Sequence, residues 1–107
     1  MTLKNLIELG DVLEKQAFAF LCYLNNKTSD EELQKQVDTY CDSMAISFID
    51  KHKNELMKPE LLYGLRNHIG NIGAKEKHSG YRFYEALYKQ LLNFEDMIDC
   101  QDAYLIQ

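Results

Sequence analysis

Tryptophan is absent from this 107-residue chain, proline occurs once and glycine five times. So few chain breakers exclude a collagen-like or linker-like chain. They also leave little room for the turns that many short strands require. Cysteine occurs three times, at Cys22, Cys41 and Cys100, an odd set with no close spacing. A disulfide framework wants an even set, so reduced thiols and a cytoplasmic chain are expected. Neither C-x-x-C nor H-x-x-x-H spacing occurs, and the expectation is no metal and no cofactor. Long apolar runs are missing too. The longest, Ala17 to Leu24, has eight residues. That is too short to span a bilayer, so no membrane partner is expected.

What is present favours helix. Leu, Glu, Lys and Gln are plentiful, whereas Val and Thr are scarce. Apolar residues make up 46% of the chain and charged residues 27%, which is ordinary for a folded domain and unlike a disordered one. The length suits a single domain, residues 1–107, with one hydrophobic core.

Four amphipathic segments follow one another. The first helix is predicted from about Thr2 to Asn25. At 100° per residue, Leu3, Leu6, Ile7, Leu9, Leu13, Ala17, Phe20, Leu21 and Leu24 share its core face. Gly10 within that stripe lets another helix approach closely. Ser29 and Glu32 have capping-box spacing and open a second helix, which fades near Leu56. Its buried face holds Leu33, Val37, Tyr40, Cys41, Met44, Ala45, Phe48 and His52. Pro59 suits the first turn of a third helix, and Gly70 and Gly73 suit its end. A polar loop from Gly73 to Gly80 leads to a fourth, long helix from about Gly80 to Leu105, with Ser79 as its cap. The expected fold is all-α, an antiparallel four-helix bundle with a long C-terminal helix.

Charge is unevenly spread. Residues 1–65 carry seven basic and eleven acidic side chains, residues 66–89 five and two, and residues 90–107 none and four. The net charge is −5. In the basic segment, Arg66, Lys75, Lys77 and Arg82 stand among aromatics such as Tyr81. Basic groups interleaved with aromatics suit an anion, so this set is a candidate for a nucleotide or RNA. The acidic side chains Glu95, Asp96, Asp99 and Asp102 suit solvent or a basic partner.

Catalytic spacing is not evident. Arg66 and His68, two residues apart, diverge by about 200° on a helix. They therefore do not form the paired Arg and His of a helical ribonuclease. Apolar side chains do remain beyond one stripe per helix, namely Val12, Phe18, Tyr23, Ile46 and Ile49. Surplus apolar surface of this kind marks a partner or homodimer face. The leading expectation is a small non-enzymatic interaction protein of inhibitor, immunity, adaptor or chaperone type. The alternative is a binder of phosphate-bearing ligands through residues 66–89.

Overall fold

The computed structural model describes the backbone of residues 2–25, 27–76 and 80–106, and the side chains within those ranges as far as Ile98. Every regular element among the described residues is a helix: α1 (Leu3–Asn25), α2 (Asp30–Lys51), α3 (Lys53–Leu56), α4 (Pro59–Asn71) and α5 (Arg82–Ile106). Among the described residues, no helix is long and apolar enough to cross a membrane.

Local chemistry sets most of the boundaries. Ser29 is the N-cap of α2, its hydroxyl accepting the Glu32 N–H at 3.4 Å. Asp30, Glu31 and Glu32 fill the first turn, where the helix dipole favours negative charge. The expected second helix does not run unbroken to Leu56. It ends at Lys51, because His52 leaves helical geometry (φ −111°, ψ 26°). The His52 ring turns inward against Phe48, with centroids 4.9 Å apart. The short α3 follows.

Pro59 stands in the first turn of α4. The helix closes on a Schellman turn: Gly73 adopts φ +83°, its N–H donates to the Gly70 carbonyl, and the Ala74 N–H donates to the Ile69 carbonyl. Ala74 is wholly buried, the apolar contact that accompanies this motif. A residue expected in a polar loop is therefore part of the core.

The last helix begins at Arg82, two residues later than the sequence suggests, after Gly80 turns with φ +87°. The first helical bond there runs from the Glu85 N–H to the Tyr81 carbonyl. Ser79, the expected cap, lies outside the described residues.

The core gathers on α5. This helix packs chiefly on α2 and also meets α1 and α4, whereas α1 touches α2, α4 and α5. Leu6, Val37, Leu56, Leu65, Ile69, Phe83, Leu87 and Leu91 are buried at their meeting. Tyr84 is buried among them, only 1% exposed. Leu9, expected in the core face of α1, is instead 39% exposed, because the space between α1 and α2 stays open at its level.

Candidate functional site

That opening is an apolar cavity of about 370 Å³ between α1 and α2. Leu9, Val12 and Leu13 form one wall, Met44 and Phe48 the other, and Lys51 and His52 close one end. A second cavity of about 390 Å³ continues along α2 past Phe20 and Gln36 to Glu32, sharing Tyr40 and Ser43 with the first. The rings of Phe20 and Tyr40 stack at 4.3 Å between the two. The trough therefore follows one side of α2 over nearly its whole length.

His52 is the polar feature of this trough. It is only 7% exposed and lines the cavity, and its imidazole has no hydrogen-bond partner among the described residues. Its ring nitrogens are not sealed from solvent but open on the cavity, where an incoming polar atom can reach them.

The five apolar side chains singled out in the sequence do not form one patch. Val12 (52% exposed) lies in the trough wall, and Tyr23 (60%) belongs to the same side of α1, about 20° from Val12 around the helix. Phe18 (62%) is exposed about 120° away from Val12. Ile46 is exposed on the outward side of α2. Ile49 is partly buried against the core, because its position turns toward the packed side of α2. Leu9, taken from the sequence as core, is the exposed trough residue that sequence reasoning missed; Met44, also taken as core, packs partly buried against the core while lining the trough. Leu9 and Val12 are three residues apart, and that short spacing was the available signal.

A second, polar locus lies where α1 meets the start of α5. The Tyr84 O–H is shared between Asp11 Oδ1 at 2.6 Å and the Ile7 carbonyl at 3.1 Å. Burial, and the hydrogen bond to Asp11, push the phenol pKa upward, so the ring stays neutral. Three residues on, Glu14 Oε2 accepts the Phe83 N–H at 3.1 Å. A carboxylate from α1 thus caps α5, whose own leading residue, Tyr81, has no short oxygen-bearing side chain for the task. Glu14 Oε1 is buried without a hydrogen-bond partner among the described residues. Burial raises the Glu14 pKa, an effect the backbone donors of Phe83 and Tyr84 partly offset. A cavity of about 400 Å³ beside this cap is bordered by Lys15, His68 and Tyr81. Asp11, Tyr84 and one oxygen of Glu14 join the two helices, which gives this cluster a structural role.

The basic residues of the anion set point to different carboxylates. Arg66 Nη1 lies 2.6 Å from both oxygens of Glu95, with its guanidinium 5.0 Å over the Tyr63 ring. Arg82 faces Asp38 at 3.8 Å. Lys75 is exposed, Tyr81 borders the acidic cavity, and Lys77 lies outside the described residues. The Cys41 thiol is buried, and burial pushes its pKa up to about 12, which keeps it from acting as a thiolate.

Compared with known protein families, curated proteins and solved structures, the chain matches none.

Proposed function

We propose that this chain is a small, cytoplasmic, non-enzymatic interaction protein, an inhibitor, immunity protein, adaptor or chaperone by type. It acts by binding protein through the open face between α1 and α2. The four long helices are taken as an antiparallel bundle, with α3 as a link between α2 and α4. The observation that carries the reading is the trough itself: Leu9 and Val12 stay exposed beside an apolar cavity that ends at the imidazole of His52. Water gains little from such a surface, and its burial by a partner is favourable at roughly 25 cal/mol per Å² of apolar area before association costs. The groups suited to acid–base chemistry, Asp11, Glu14 and Tyr84, serve the α1–α5 junction, and this supports a binding rather than a catalytic role.

The test is affinity capture from the cells that make the protein, with Val12→Asp beside the parent. Val12 is half exposed, so the charge should leave the helical circular dichroism unchanged. Proteins bound through the trough should then be lost. An identical set of captured proteins in both samples would remove this reading.

A further inference from the structure

We draw no further inference here: the strongest candidate, the apolar trough between α1 and α2 that ends at Lys51 and His52, carries none because nothing in the structure shows what covers it.

Discussion

The phenol of Tyr84 occupies the space that a side chain at Gly10 would need. A Cβ built on Gly10 falls 2.7 Å from Tyr84 Oη and 2.9 Å from its Cε1. The ring cannot withdraw, because Tyr84 is 1% exposed and its hydroxyl is held by Asp11 and the Ile7 carbonyl. Gly10→Ala gains about 1 kcal/mol of helix propensity. It must also displace a packed aromatic, at a cost of about 1–3 kcal/mol. The expected outcome is net destabilisation, read as a lower midpoint in urea with unchanged slope. Tyr84→Phe removes the hydroxyl, and in that background the penalty of Gly10→Ala should shrink. Equal penalties in both backgrounds would show that the hydroxyl is not the obstacle.

Glu14 gives a pH dependence whose sign can be worked out. Its ordinary value is 4.5, and burial raises it in the folded chain. The folded state therefore holds the proton more tightly than the unfolded state. The stability Glu14 contributes is fully present below pH 4.5 and is lost as pH rises through the folded value. Glu14→Gln keeps an oxygen for the Phe83 N–H without the ionisation. The stability of this variant relative to the parent should rise between pH 4.5 and neutrality and then level off. Glu14→Ala, which removes the cap of α5, should cost about 1 kcal/mol. Denaturant titrations of all three proteins across that range are the measurement. A Gln variant whose difference from the parent does not change with pH would contradict the assignment of the buried carboxyl.

Arg66 and Glu95 make the better-protected ion pair of the two described, with side chains 27% and 16% exposed. Burial, two short contacts and the Tyr63 ring set it apart from the looser Arg82–Asp38 pair at 3.8 Å. Glu95→Ala should therefore cost about 1–2 kcal/mol, more than an exposed surface pair usually supplies. Asp38→Ala should fall within about 0.5 kcal/mol of the parent. The two midpoints in thermal denaturation provide the comparison.

Much of this fold was legible because it depends on local rules. Ser29 and Glu32 marked the start of α2, Pro59 the start of α4 and Gly73 its end, each through a backbone requirement that only a few residue types meet. The use of Gly10 as a point of close approach was also readable, though not its neighbour, because Tyr84 is 74 residues away. What the sequence hides is tertiary. The cap of α5 comes from Glu14 on a different helix, so no pattern near residue 82 reveals it. His52 interrupts α2 without glycine or proline, its ring held inward against Phe48. The trough was half legible. Val12 stood out as a surplus apolar residue, but Leu9 was taken for core. Periodicity marks an apolar face and does not say whether the chain itself supplies the cover.

Gly64 poses the same steric question as Gly10 and should give the opposite answer. A Cβ there falls 2.7 Å from Leu3 Cδ2, the same separation as at Gly10. The neighbour differs. Leu3 is the first residue of α1 and only partly buried, and the atom in the way is the free end of an aliphatic side chain. A rotamer change moves it with no hydrogen bond lost. Residue 64 lies within α4, where alanine is favoured over glycine by about 1 kcal/mol. Gly64→Ala should therefore be neutral or stabilising by up to about 1 kcal/mol, while Gly10→Ala destabilises. Measuring both variants under one denaturant protocol separates a rigid neighbour from a yielding one. A loss at residue 64 as large as that at residue 10 would mean that Leu3 is pinned, and that the first turn of α1 is locked against the second turn of α4.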